Sequence, residues 1–324
     1  MGVYHLMGLG RSPGVVIGPI TYLGHRYQRW NEDDKKFFAR SGEAKQREEG
    51  KKVGDIQALV LFTTKEVLNG RILSFGYVMN PAGRISKTPL REGGPMKDIL
   101  KELLKEEWPK ISGERRKSGT IFWCEIDRRD IKVTYERVVQ VIAALSGVGK
   151  RGKEIWVNLT GGNNVVNSAL QIASSLSGSV ARMYYVQAEN EDAEKCIRYT
   201  AENGYWVELP VLPLIIDPVG YSVIEMLQEK PMSLEQLYGN LKSLYWKELN
   251  DKGIDDENKF HQICLFPLWK AGLIAETPKE YTIGPQWEVI QPYRESLEKA
   301  KERKLTIEQL ARQEDWIEME ELEF

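Results

Sequence analysis

Glu154-Ile155-Trp156-Val157-Asn158-Leu159-Thr160-Gly161-Gly162-Asn163-Asn164 decides the fold class. Strand-prone residues run into a small polar turn, and the turn runs into a segment, 165–176, with the apolar spacing of an amphipathic helix. Open parallel sheets are built from strand, turn and helix in this order, and they bind ligands outside the carboxyl edge of their strands. Gly161 and Gly162 permit positive φ and a close approach of backbone to ligand. The N–H groups around Asn164 to Val166 would stand at a helix N-terminus, which favours an anion. Such a turn serves equally as a plain β–α connection with an asparagine cap. The stretch alone leaves both readings open.

A second stretch of the same kind opens the chain. Val3-Tyr4-His5-Leu6-Met7 reads as a strand and is followed by Gly8-Leu9-Gly10-Arg11-Ser12-Pro13-Gly14-Val15-Val16. This is another glycine-rich turn into a helix, expected over 15–23, with an arginine and a hydroxyl at its mouth. Pro13 and the missing third glycine separate it from the dinucleotide fingerprint. Two such turns on one sheet can converge on one ligand.

The chain's 324 residues suffice for two domains with proper cores. Its 42% hydrophobic and 28% charged content is ordinary for soluble globular proteins. No apolar run approaches the roughly 20 residues that span a bilayer, and no signal peptide precedes the first strand. A cytoplasmic protein without a membrane partner is expected. Cys124, Cys196 and Cys264 are widely spaced and odd in number, as in reduced, mostly buried thiols. With His5, His25 and His261 the only histidines, neither a histidine-based metal site nor a cofactor is expected. The net charge of −2 conceals an asymmetry: 215–324 holds 13 Lys and Arg against 22 Asp and Glu, and 1–214 holds 32 against 25. The basic part is the part expected to meet phosphate.

Between the two turns, strands are expected at 58–62, 74–79 and 120–126, with helices at 95–108 and 134–145; beyond the second turn come a strand at 181–186 and a helix at 193–203. This alternation predicts a doubly wound parallel sheet. The polar segment 25–55 reads as an insertion or lid over the first turn, or as a solvated surface excursion. Arg84, Lys87 and Arg91 fall in a loop after the turn Asn80-Pro81-Ala82-Gly83. Arg128 and Arg129 follow the 120–126 strand, where they can clamp a phosphate or pair with Asp127 and Asp130. Pro210 and Pro213 mark a boundary near Asp217.

Beyond it the pattern is helical: 219–228, a helix capped by Ser233 and Gln236, and 258–271 with a kink at Pro267. A hairpin of 272–275 and 281–283 and a helix over 287–304 complete the order of a winged helix-turn-helix. The expected division is a Rossmann-like α/β domain at 1–216, a mainly helical winged helix-turn-helix domain at 217–304, and an acidic tail at 305–324. The candidate recognition helix opens with Asp255-Asp256-Glu257 and offers only Lys259 and Lys270, so its charge argues against DNA. Its Phe260, Ile263, Leu265, Phe266, Leu268 and Trp269 suggest burial on more than one face, as in a dimerisation or lid element.

Leu9-Gly10-Arg11-Ser12-Pro13-Gly14-Val15-Val16, taken with Asn158-Leu159-Thr160-Gly161-Gly162-Asn163-Asn164, resembles the ligand loops of the CARF domain of CRISPR-associated proteins. That domain is a Rossmann-like sensor of cyclic oligoadenylates, and the resemblance covers about the first two thirds of the chain. It implies that both loops lie at a homodimer axis. There Gly10, Arg11, Ser12, Pro13, Thr160, Gly161, Gly162, Asn163 and Asn164, with Arg128, would hold the ring, expected to be cyclic tetra-adenylate.

The form of Ser12-Pro13-Gly14-Val15-Val16 is similar to that of CARF ring nucleases. It implies metal-independent cleavage, in which a ribose 2′-hydroxyl attacks the adjacent phosphate to leave a 2′,3′-cyclic phosphate. Ser12 would be the catalytic residue, placing the 2′-hydroxyl or the phosphate; the alternative is that it only caps the helix. Such enzymes often carry a lysine after the paired glycines. Asn163-Asn164 stand there instead, so slow cleavage is implied, with Arg11 or Arg128 as substitute cation. Many CARF relatives carry a HEPN ribonuclease, which needs an arginine a few residues before a histidine. Asp255-Asp256-Glu257-Asn258-Lys259-Phe260 precede His261, which excludes that output. The alternative to the nuclease is a non-enzymatic, ligand-responsive transcriptional regulator using the winged helix.

Overall fold

A computed structural model describes residues 2–39, 41–42, 51–69, 71–72, 75–79, 85–89, 94–112, 116–147, 152–189, 197–211 and 217–324. The chain forms two compact units, Met1–Pro213 with Leu297–Phe324, and Leu214–Ser296. In the first, β1 (Val3–Gly8) is followed by α1 (Gly14–Arg29), α2 (Glu32–Phe38), β2 (Ile56–Thr63) and the short α3 (Lys65–Asn69). Two ribbons come next, β3 (Arg71–Ile72) pairing with β6 (Gly94–Pro95), and β4 (Phe75–Met79) with β5 (Ile85–Pro89). Then come α4 (Met96–Glu107), β7 (Ser118–Glu125), α5 (Ile131–Ser146), β8 (Glu154–Asn158), α6 (Asn164–Ser177), β9 (Arg182–Ala188) and β10 (Gly204–Leu209).

Seven strands form one sheet, in the order β10-β9-β8-β1-β2-β7 and finally β13 (Ile317–Glu323) from the end of the chain. The five inner strands are parallel and the two edges antiparallel. Strands covered on both faces need apolar residues at successive positions. Ala58, Leu59, Val60, Leu61 and Phe62 in β2 are accordingly all fully buried. From β1 the chain steps outward through β2 to β7, then returns to β8 and steps the other way to β9. With right-handed crossovers, α1 and α4 cover one face, and α5 and α6 the other. The winding reverses between β1 and β8, the switch point where open α/β sheets bind ligands. The expected mixed α/β class, with a mostly parallel sheet of Rossmann-like kind, is what forms.

Several expectations are corrected. The 74–79 strand does not join the sheet: β4 returns at once into β5, and a parallel strand needs a crossover of about a dozen residues or more. The turn at 80–84 and Arg91 lie outside the described residues. No helix fills 197–203, which is irregular and leads into β10; 193–196 lie outside the described residues. The cysteines need no correction: Cys124 and Cys264 are buried free thiols as expected, and Cys196 lies outside the described residues.

The 305–324 segment is no tail. Thr306 and Gln309 form a capping box that starts α12 (Ile307–Gln313), and β13 pairs with β7 from Ile317↔Cys124 to Glu323↔Ser118. Ile317 and Leu322 are buried. The acidic residues between them meet α4: Lys97 lies 2.7 Å from Glu318, and Lys101 lies 2.8 Å from Glu320. Placing 297–324 in the first unit reduces its excess of basic residues to 37 against 34, and leaves 8 against 13 in Leu214–Ser296.

Among the described residues, the segment after residue 25 does not lie over the first turn. Its helix α1 has 16 residues and so runs about 24 Å away from the first turn. Asn31 then caps α2, and Asp34, fully buried, receives Arg26 at 3.0 Å and Arg29 at 2.7 Å. This hairpin of helices sits at the amino edge of the sheet. The Phe37 carbonyl accepts from Arg182, at the start of β9, and Gly42 N–H donates to Glu154, at the start of β8.

In the second unit, α7 (Pro218–Glu229) and α8 (Leu234–Asp251) precede α9 (Glu257–Phe260), a π-helical turn (His261–Leu265) and α10 (Phe266–Lys270). Pro267 offers no N–H, and the helix passes it through this wider turn. A hairpin, β11 (Ile274–Glu276) with β12 (Tyr281–Ile283), and α11 (Pro285–Glu302) follow. The expected capping box forms, with Gln236 N–H donating to Ser233 Oγ at 3.2 Å and Ser233 N–H donating to Gln236 at 2.9 Å. Phe260, Leu265 and Leu268 are buried, but Ile263, Phe266 and Trp269 remain 44%, 41% and 44% exposed. Within this chain the segment buries one face, not several. No described helix is long and apolar enough to cross a membrane.

Two stability measurements check this account. Leu322→Asp should cost about 2–4 kcal/mol in urea unfolding, because it buries a charge where an aliphatic packs, whereas a free tail would tolerate it. Burial raises the Asp34 pKa, but the Arg29 hydrogen bonds and the charges of Arg29 and Arg26 outweigh it, and the carboxyl sits below its usual value. Its stabilisation is therefore complete above the unfolded carboxylate range and is lost as pH falls through the folded value. Asp34→Asn should cost about 3–5 kcal/mol at neutral pH and flatten the acid limb of the stability–pH curve.

Candidate functional site

Both glycine turns leave the carboxyl edge of neighbouring strands, and they touch. A Cβ on Gly8 would lie 2.8 Å from the Gly161 carbonyl oxygen and 2.8 Å from Gly162 Cα. A Cβ on Gly161 would overlap the Val15 side chain on the first turn of α1. Side chains at these positions would force β1 and β8 apart at the switch point, which is why glycine stands on both. Gly162 adds a second reason, a φ of +96°.

The second turn is rigid for reasons local to its sequence. Asn158, only 1% exposed, accepts from Thr160 N–H at 2.7 Å and closes an Asx turn. Thr160 Oγ1 accepts from Val186 N–H at 2.9 Å, which pins the turn to β9. Asn163 caps α6 by accepting from Val166 N–H at 2.9 Å. The N–H groups of Asn164 and Val165, ahead of Val166, have no intrahelical acceptor. Asn163 keeps its amide donor and Asn164 is exposed.

The first turn carries the polar groups. Gly10 is half-buried, Pro13 buried, and Arg11 and Ser12 are exposed. Pro13 holds the N-cap position of α1 and has no side-chain cap to offer. Ser12 Oγ accepts from Gly14 N–H at a long 3.3 Å, so it caps weakly and keeps its own O–H as a donor. Arg11 forms no ion pair with a described residue. The crevice thus combines a guanidinium, a hydroxyl, an amide and two helix N-termini: a surface of donors, suited to anionic oxygens.

His5 is not part of it. It lies fully buried in mid-strand, with Nδ1 2.8 Å from Tyr184 Oη. Burial, then the charge of Arg182, pushes its pKa down to about 3, so it stays neutral.

Gly10, Arg11, Ser12 and Pro13 on the first turn and Thr160, Gly161, Gly162, Asn163 and Asn164 on the second thus lie on two turns that touch at the carboxyl edge of β1 and β8. Arg128 stands elsewhere. Together with Lys65, Glu66, Arg129 and Arg137 it lines a cleft of about 410 Å³ over the carboxyl ends of β2 and β7. Neither arginine makes an ion pair with Asp127 or Asp130; those carboxylates accept backbone N–H groups of Arg129, Lys132 and Val133. Sequence reasoning missed Asn158 as the stiffener of the second turn, although Asn-x-Thr after a strand is an Asx-turn signal. It also missed Lys65 and Arg137, whose convergence depends on pairing β2 with β7.

No family model matches the chain. Over 190 residues it is 27% identical to an uncharacterized protein of Archaeoglobus fulgidus, and the match covers 57% of this chain and 57% of that one. The chain thus spans little more than half the length of that relative. Protein VC1899 of Vibrio cholerae, known from a crystal structure, gives a TM-score of 0.32 at 10% identity over 91% of this chain and 66% of that one, a likeness that carries no functional argument.

The crevice geometry is checked by alanine at its glycines. Gly8→Ala and Gly161→Ala should each cost about 1–3 kcal/mol by overpacking. Gly10→Ala, whose Cβ would meet nothing within 4 Å, should change stability by less than about 0.5 kcal/mol.

Proposed function

We propose that the chain is a CARF-type protein of CRISPR antiviral defence. It binds a cyclic oligoadenylate, cyclic tetra-adenylate foremost, across the two-fold axis of a homodimer, and cleaves it slowly as a metal-independent ring nuclease. One observation carries this reading: the two turns that resemble CARF ligand loops meet at the switch point, backbone on backbone. Their exposed Arg11, Ser12 and Asn164, with half-buried Asn163, carry hydrogen-bond donors. A ring on a two-fold axis offers each protomer half its phosphates, an isologous site.

Cleavage needs little beyond this. The 2′-oxygen of one ribose forms a bond to the adjacent phosphorus, the bond to the 5′-oxygen breaks, and a 2′,3′-cyclic phosphate and a 5′-hydroxyl result. The 2′-hydroxyl proton passes to water, and the 5′-oxygen takes one from water. Ser12 O–H donates to the phosphate as charge builds on it, and Arg11 supplies the cation. Asn163 and Asn164 bring donors without charge, which keeps the rate low.

The second reading is a ligand-responsive regulator. Three helical segments and a hairpin in the second unit are the elements that such a regulator would use as its winged helix. Its candidate recognition helix is ill equipped for DNA: Asp256 caps α9, and Lys259, one of two cations there, lies 2.7 Å from Asp255. The exposed Ile263, Phe266 and Trp269 make a poor phosphate-reading face.

Three outcomes test the proposal. Calorimetry with cyclic tetra-adenylate and cyclic hexa-adenylate should give one ring per dimer for the preferred ring; no binding of either at micromolar protein contradicts it. Ser12→Ala should lower single-turnover cleavage more than affinity, Asn163→Lys should raise the rate, and EDTA should change neither. Duplex DNA binding should stay non-specific and vanish at moderate salt with or without the ring; a ring-dependent footprint would favour the regulator.

A further inference from the structure

We infer that the cleft between the carboxyl ends of β2 and β7 is a second anion site, one that takes the phosphate monoester of a small polar molecule independently of the glycine crevice. Its walls come from Thr64, Lys65 and Glu66 after β2, from Arg128 and Arg129 after β7, and from Arg137 on α5. At about 410 Å³ it has the size of a small-molecule pocket. Its lining is polar, with Ile126 and Val133 the apolar exceptions.

The charges are arranged for a ligand rather than for each other. Lys65, Arg128, Arg129 and Arg137 face Glu66, Glu125 and Asp127. A hydrogen bond from Thr64, and then the charges of Arg128 and Arg129, hold the Glu66 carboxyl below its usual value. Yet none of these cations comes within 4.0 Å of a described carboxylate oxygen. Asp127 instead accepts from Arg129 N–H at 2.8 Å, and Thr134 donates to its carbonyl at 2.7 Å, so the 127–130 turn is braced. Arg137 is braced as well: it donates to the Glu125 carbonyl at 2.6 Å, and its guanidinium lies 5.5 Å over the Trp316 ring. Exposed Arg128 and Arg129 are thus held on a rigid turn with their guanidinium forks uncommitted, the geometry that suits a doubly charged phosphate. β7, which carries Arg128 and Arg129, stands two strand spacings, about 10 Å, from β1, with β2 between them, and no residue of either glycine turn lines the cleft.

The test is calorimetric titration of the full chain with inorganic phosphate, ribose 5-phosphate, adenosine 5′-monophosphate and adenosine. The three phosphates should bind once per chain with a dissociation constant of about 1 mM or tighter, and adenosine should not bind. The ranking of the phosphates tells whether free phosphate, a sugar phosphate or a nucleotide is preferred. Arg129→Gln should weaken binding about ten-fold or more, and so should Lys65→Gln; Ser12→Ala should leave it unchanged. No saturation by any phosphate at about ten times that concentration overturns the inference. So does a loss that follows Ser12→Ala and not Arg129→Gln. Because inorganic phosphate is the first probe, failure to bind the cyclic ring leaves this result untouched.

Discussion

Backbone-to-backbone contact between Gly8 and the Gly161–Gly162 pair is the constraint on which the rest of the first unit depends. It lets the β1 and β8 ends close together where the winding of the sheet reverses. It seats the first turn of α1, through Val15, against the second turn. It also leaves the polar groups of both turns on the same side of the sheet edge. A single methyl group at Gly8 or Gly161 would strain this contact.

The two edges of the sheet are built differently, and the difference points to where ligands go. At the amino edge charges are buried and answered. Arg182 lies 4.6 Å from the Phe37 and Trp156 ring centres and 5.0 Å from that of Trp206, and it pairs with Glu208. Asp34 is held between two arginines. This edge is a stiff base, closed by α2 and an aromatic cluster. At the carboxyl edge Arg11, Arg128 and Arg129 stand exposed and make no close ion pair with a described carboxylate, Glu66 feeling the charge of the last two only at longer range. Desolvated charges have been spent on structure at one end, and solvated cations are kept for partners at the other.

Much of this was legible in the sequence because it is local. Strand, glycine turn and amphipathic helix declare β1 with α1 and β8 with α6, and the Ser233–Gln236 capping box announces α8 within a residue. What escaped is what depends on distant pairing. The alternation of acidic residues with Ile317 and Leu322 reads as a charged tail until β7 supplies an edge and α4 supplies Lys97 and Lys101 to meet it. The charges of 25–55 read as solvated until Asp34 is seen buried between Arg26 and Arg29. The 74–79 run reads as a sheet strand until its partner β5 appears. Arg128 was correctly placed at a strand's carboxyl end, but the strand order that sets it two positions from β1 is not written in any one segment.

Hydrogen–deuterium exchange across the whole chain, with and without cyclic tetra-adenylate, tests the central claim most directly. The account predicts protection confined chiefly to peptides holding Gly10–Gly14 and Thr160–Val166, where donors and helix N-termini face the crevice. Protection of neither turn, or protection centred on Leu214–Ser296, would contradict it.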